Sequence, residues 1–177
     1  MDEPGPEPGA VGGGEDHPLA GLVDRWEAVM GDMEATAAEY RDEGWTVVEL
    51  HPGDVTPLPP ARGGEALDDD RVGLDVLVPD NEFETLEAET EATFDGYEAY
   101  RAQVGSIVFV VVAIEATDIG VAVLVPLYYR ADEARKMAER ARDRGRLDLF
   151  VRPLSDDRRV VFSQAEPERL LPGTVEE

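Results

Sequence analysis

A chain of 177 residues suits one ordinary domain and is too short for two; its 42% apolar content is enough for a core and argues against a wholly disordered chain. Forty acidic residues against sixteen basic ones give a formal charge of −24. Cysteine is absent, which excludes a disulfide framework, a thiolate metal site and a thiol nucleophile.

Residues 1 to 16 are rich in Pro, Gly and acid and read as a disordered tail. Leu19 to Glu43 has the pattern of an amphipathic helix, with Leu19, Leu22, Val23, Trp26, Val29, Met30, Met33, Ala37 and Tyr40 on one face. Pro18 stands at the first-turn position and Gly44 at the C-terminal cap. Trp45 to Leu50 is a β-branched strand, closed by the turn His51-Pro52-Gly53-Asp54. Thr56 to Asp70 reads as a loop, and Val72 to Val78 as a second strand stopped by Pro79.

Asn81 to Thr93 carries two conflicting signals. Asn81 and Glu84 have capping-box spacing, while alternation through Phe94 and the pair Asp95-Gly96 suits a strand and hairpin. The reading adopted is a short helix. Tyr97 to Tyr129 reads as a three-strand meander broken at Gly105-Ser106 and at Thr117 to Gly120. Its middle strand, Ile107 to Ile114, is apolar throughout, so it should lie centrally with both faces covered. Pro126 marks the end of the third strand or an edge. Asp132 to Arg144 is a helix with a narrow stripe of Ala134, Met137, Ala138 and Ala141, stopped by Gly145. Leu147 to Arg152 and Arg159 to Ser163 make a last hairpin around Ser155 to Arg158.

The expected fold is therefore α+β: a mainly antiparallel sheet of about six to seven strands with two principal helices packed on it. The folded unit spans 17 to 165 and is followed by a loose acidic tail over 166 to 177.

The charge has a physical consequence. A fold with so much charge of one sign repels itself, and the screening length falls from about 10 Å at 0.1 M salt to about 3 Å at 1 M. Of the sixteen basic residues only Lys136 is a lysine. The expectation is a chain built for molar intracellular salt. Met1-Asp2-Glu3-Pro4 shows no cationic, apolar signal region. The apolar run Ile107 to Ile114 is far short of the roughly 20 residues of a membrane helix. Both point to the cytoplasm and away from a membrane.

Three places are candidates for chemistry. His51 and Asp54 flank Pro52-Gly53, and Tyr128-Tyr129-Arg130 ends a strand just before a helix. Together they are a speculative ligand-binding set, in which the tyrosines and guanidinium would stack on a ring or hold an anion. The plain alternative has the tyrosines alternating between core and solvent and Arg130 pairing with an acid. Asp68-Asp69-Asp70 lacks the spacing of a calcium loop, and His17 is the only other histidine, so no metal site and no cofactor is expected. Residues 130 to 160 hold ten bases and seven acids, against four bases and 27 acids in residues 1 to 100. Arg135, Lys136, Arg140, Arg142 and Arg144 therefore form a speculative interaction surface.

The stretches Glu39-Tyr40-Arg41-Asp42-Glu43-Gly44-Trp45-Thr46-Val47-Val48, His51-Pro52-Gly53-Asp54 and Pro126-Leu127-Tyr128-Tyr129 resemble an uncharacterised protein family of halophilic archaea, over roughly residues 19 to 165. The resemblance implies salt adaptation and a cytoplasmic location, and it brings no catalytic residues with it. The chain shows no Gly-rich phosphate loop, no nucleophile elbow and no paired-histidine zinc helix. The leading expectation is a non-enzymatic binding or protein-interaction domain whose partner is another protein or a second copy. The alternatives are a small enzyme or ligand-binding domain with a pocket near His51, Tyr128 and Arg130, and a nucleic-acid regulator acting through 132 to 144. Nucleic acid is disfavoured because binding by counterion release weakens steeply with salt.

Overall fold

A computed structural model of the protein describes residues 13–59, 71–89, 93–155 and 158–172, with side chains from residue 21 onward. Residues 1–12, 60–70 with the triple aspartate, 90–92, 156–157 and 173–177 lie outside the described residues.

The architecture is α+β, but it is not one sheet of six to seven strands. It has two four-stranded sheets and three helices, α1 (Gly13–Asp42), α2 (Asp80–Ala88) and α3 (Arg135–Arg144), among the described residues. The first sheet has the order β1-β6-β5-β4, from β1 (Thr46–Glu49), β6 (Val121–Arg130), β5 (Ile107–Ala116) and β4 (Gly96–Val104). The second has the order β2-β3-β7-β8, from β2 (Asp54–Leu58), β3 (Gly73–Leu77), β7 (Arg146–Arg152) and β8 (Val160–Ala165). Each sheet contains one parallel pair, β1 with β6 and β3 with β7. Pairing between neighbours in the chain misses these, because each parallel pair joins strands separated by long stretches of sequence.

Strand β5 shows why two sheets form. Val108, Val110, Val112 and Ile114 face the second sheet, meeting Leu74, Val76, Leu147 and Leu149. Phe109, Val111 and Ala113 face the opposite way, onto Val29, Met33 and Ala37 of α1. A strand apolar at every position thus has both faces covered, as its sequence requires. Burying each such side chain contributes about 1.5–3 kcal/mol. The stripe fully buried from α1 is narrower than the sequence pattern. Val29, Met33 and Ala37, four residues apart, are buried, Leu22, Trp26, Met30 and Tyr40 are only partly covered, and Val23 is exposed.

The element reading also shifts in detail. Strand β2 falls in what reads as turn and loop; Pro57 lies on it because β2 is an edge strand, where a missing N–H need break no ladder. Pro126 does not end β6. It sits mid-strand opposite Val111, beyond Val121 to Leu124, the part of β6 that pairs with β1, so that side of β6 is locally an edge. The ambiguous segment is helical over Asp80–Ala88, the short helix adopted, but the helix starts at Asp80 with Pro79 as its cap, and no side chain caps it. Gly145 ends α3 in the left-handed region at φ 69°, the backbone glycine tolerates best.

Helices α2 and α3 insert Phe83 and Leu86, and Met137, Ala138 and Ala141, into the core between the sheets. Residues 166–172, expected in a loose tail, are packed. Leu170 and Leu171 are fully buried, the Tyr129 hydroxyl donates to the Leu170 carbonyl at 2.6 Å, and Arg101 donates to the carbonyls of Glu168 and Leu171. Tyr97 donates to the carbonyls of Ala165 and Glu166. This segment closes part of the open side of the sandwich between β4 and β8. Its two leucines are a core signal that the surrounding Pro and Glu mask. No helix among the described residues is long and apolar enough to cross a membrane.

Candidate functional site

Strand β6 outruns its neighbour β1, and its last residues project toward the turn Pro52–Asp54 and the start of β2. The N-terminal half of α1 lies beside this projection. The space between them is a cavity of about 520 Å3, within the ordinary range for small-molecule sites. Its lining includes Leu22, Trp26 and Glu27 from α1, Asp54, Val55 and Pro57 from β2, and Tyr128, Tyr129 and Arg130 from β6, with Glu133 from the turn that follows.

Four of the five residues of the proposed ligand set therefore meet here: Asp54, Tyr128, Tyr129 and Arg130. His51 does not line the cavity. Its backbone N–H and its Nδ1 both lie 2.6 Å from the Glu82 carboxylate of α2. One carboxylate thus ties the end of β1 to α2, a structural role. The strand period separates the two tyrosines. Tyr129 is 3% exposed in the inter-sheet core, and burial pushes its phenol pKa up. Tyr128 turns to the α1 side, with its ring 5.1 Å from Trp26 and 6.0 Å from Phe109. It is Tyr128 and Trp26 that offer an aromatic surface.

Electrostatics decide what this surface favours. Arg130 Nε lies 3.4 Å from Asp132 and 3.8 Å from Glu133, so its charge is already answered by neighbours. Glu27, Asp54 and Glu133 leave the rim acidic. The anion site considered from sequence is thereby disfavoured, and stacking on a flat ring is favoured. Trp26, Glu27 and Glu133 escape a sequence reading. Trp26 looks like one more core residue on the helix stripe, and nothing in the pattern shows that the stripe extends beyond the sheet.

The five bases of the proposed interaction surface are all exposed on α3. Arg142 is tied to Glu168 at 2.6 Å, and this hydrogen bond lowers the Glu168 pKa. Other arginines pair the same way, among them Arg152 with Asp75 and Arg169 with Glu98. Among the described residues no three of His, Asp or Glu converge as metal ligands.

A second cleft, about 840 Å3, opens between the edge strands β4 and β8. Phe94, Tyr97, Ile114, Phe162 and Gln164 line it, with Arg169 at one end over the Tyr97 ring at 4.8 Å. Gln164 is 4% exposed, a buried polar residue on the strand that borders the cleft.

Comparison with curated proteins and with solved structures finds no match. A family model matches residues 16–172, nearly all of the described chain, and the protein belongs to that family, a family of unknown function (DUF7529).

Proposed function

We propose that this protein is a salt-adapted cytoplasmic binding domain of halophilic archaea, without catalytic activity, and that the cavity between α1 and β6 is its ligand site. The observation that carries the reading is the convergence of Trp26, Tyr128, Asp54 and Arg130 on one cavity of ligand size. The walls supply apolar and aromatic area; the rim supplies carboxylates. A compact ligand with a flat apolar body and a cationic end fits both. Salt adaptation is supported by the charge of −24 and by arginine, rather than lysine, supplying fifteen of the sixteen bases.

Calorimetric titration at about 2 M potassium chloride, where long-range charge is screened, tests the site. Phenethylamine should bind, and phenylacetate, its anionic counterpart, should not. Tyr128→Leu should weaken phenethylamine binding roughly tenfold, the size of one aromatic contact. Equal binding of amine and carboxylate, or no effect of Tyr128→Leu, would contradict the assignment.

A further inference from the structure

Four strands lie at sheet edges: β1, β4, β2 and β8. An edge strand presents unpaired N–H and C=O groups, and natural proteins protect such edges with charge, proline or cover. Strand β1 carries Glu49, β4 carries Glu98 and Arg101, and β2 carries Asp54 and Pro57. Strand β8, Val160-Val161-Phe162-Ser163-Gln164-Ala165, carries neither charge nor proline, in a chain that is 32% charged. Its second edge borders the larger cleft, where Val161 is 48% exposed; at its far end the Tyr97 hydroxyl donates to the Ala165 carbonyl. An apolar edge strand without charge or proline, bordering an open cleft, is a template for pairing, and this points to a strand that is paired in the working protein.

We propose that β8 pairs antiparallel with β8 of a second copy, joining the two β2-β3-β7-β8 sheets into one eight-stranded sheet across a two-fold axis. The flanks of β8 favour a copy of this chain over an unrelated strand. Arg158 and Arg159 precede it, and Glu166 and Glu168 follow it; Arg158 also meets Glu87, and Glu168 meets Arg142, within the chain, so the second copy would add a further partner to each. A two-fold axis perpendicular to the sheet, passing through Ser163, keeps each side chain on its own face and sets Arg158 of one copy opposite Glu168 of the other. The strand itself brings no like charges together, which matters in a chain with a surplus of 24 negative charges. An isologous contact of this kind closes at two copies and leaves no edge for further growth.

The absence of cysteine from the chain makes a clean test possible. At about 2 M potassium chloride, chosen to screen repulsion, light scattering should give twice the 19.3 kDa chain mass. Ser163→Cys should form an intermolecular disulfide on mild oxidation, because Cα atoms facing across an antiparallel pair lie about 4.5–5.5 Å apart, within disulfide reach. Thr46→Cys on the β1 edge should not. Val161→Lys with Ser163→Lys should return a monomer with unchanged circular dichroism. A wild-type monomer up to millimolar concentration, or a dimer in which Ser163→Cys fails to cross-link, would overturn the proposal; so would an occupant of the cleft that is not a second copy.

Discussion

Helix α1 contributes to two aromatic pairs, one at its C-terminal end and one near its middle, and the two pairs do opposite things. Toward the C-terminal end, Tyr40 and Trp45 have ring centroids 5.1 Å apart, and the Tyr40 hydroxyl donates to the Glu115 carboxylate at 2.5 Å. Burial and that carboxylate push the Tyr40 pKa up. Near the middle of the helix, Trp26 and Tyr128 are also 5.1 Å apart, yet they front a cavity and Tyr128 is 41% exposed. The same residue chemistry is a lock where its polar atom is satisfied across the helix–sheet seam. It is a surface for binding where the sheet edge falls away beneath it. What differs is the length of the neighbouring strand, since β1 lies beside β6 only as far as Leu124.

The largest expected effect comes from the seam that both pairs share. Met33 is fully buried between them. Met33→Ala should cost about 2–5 kcal/mol in chemical denaturation at molar salt, and it should weaken phenethylamine binding because α1 forms one wall of the cavity. The β8 pairing is remote from α1, so the mass should stay unchanged. Separating the pairs sharpens the contrast. Tyr40→Phe removes a hydrogen bond to a carboxylate and should lower stability by about 1–2 kcal/mol, a range reduced for partial exposure, with ligand affinity unaltered. If Tyr40→Phe changed affinity as much as Tyr128→Leu, the division into lock and site would fail.

The smallest effect is in acid. Arg142 holds the Glu168 carboxyl below the usual carboxylate range. A group whose folded pKa is depressed stabilises the fold above its unfolded pKa and loses that contribution as pH falls through the folded value. The pair is exposed, so no more than about 0.2–1 kcal/mol is expected. Denaturation of wild type and Glu168→Gln should differ by that amount near neutrality and converge as pH falls below about 4. A constant difference across that range would remove Glu168 from the account.

Much of this molecule was legible in its sequence, and the failures share a cause. Local signals gave α1, the meander, the basic helix and its glycine stop, because each depends on residues near one another in the chain. The split into two sheets rests on β1 meeting β6 and β3 meeting β7, pairings of strands tens of residues apart. Pro57 hid β2, since a proline reads as a stop wherever its missing N–H faces an edge that only the fold reveals; at Pro126 the edge reading holds and the strand-end reading does not. The candidate site was half legible. Asp54, Tyr128, Tyr129 and Arg130 were named and do converge. His51 was named for its turn but is claimed by Glu82, and Trp26 was indistinguishable from core.

The chain's two tryptophans, Trp26 and Trp45, sit one in each aromatic pair, which makes the central claim directly testable by nuclear magnetic resonance. The two indole N–H signals, assigned with Trp26→Phe, should respond differently to phenethylamine at molar salt: Trp26 should shift and saturate while Trp45 stays still. A shift at Trp45 with none at Trp26, or no shift at either, would contradict the placement of the ligand site between α1 and β6.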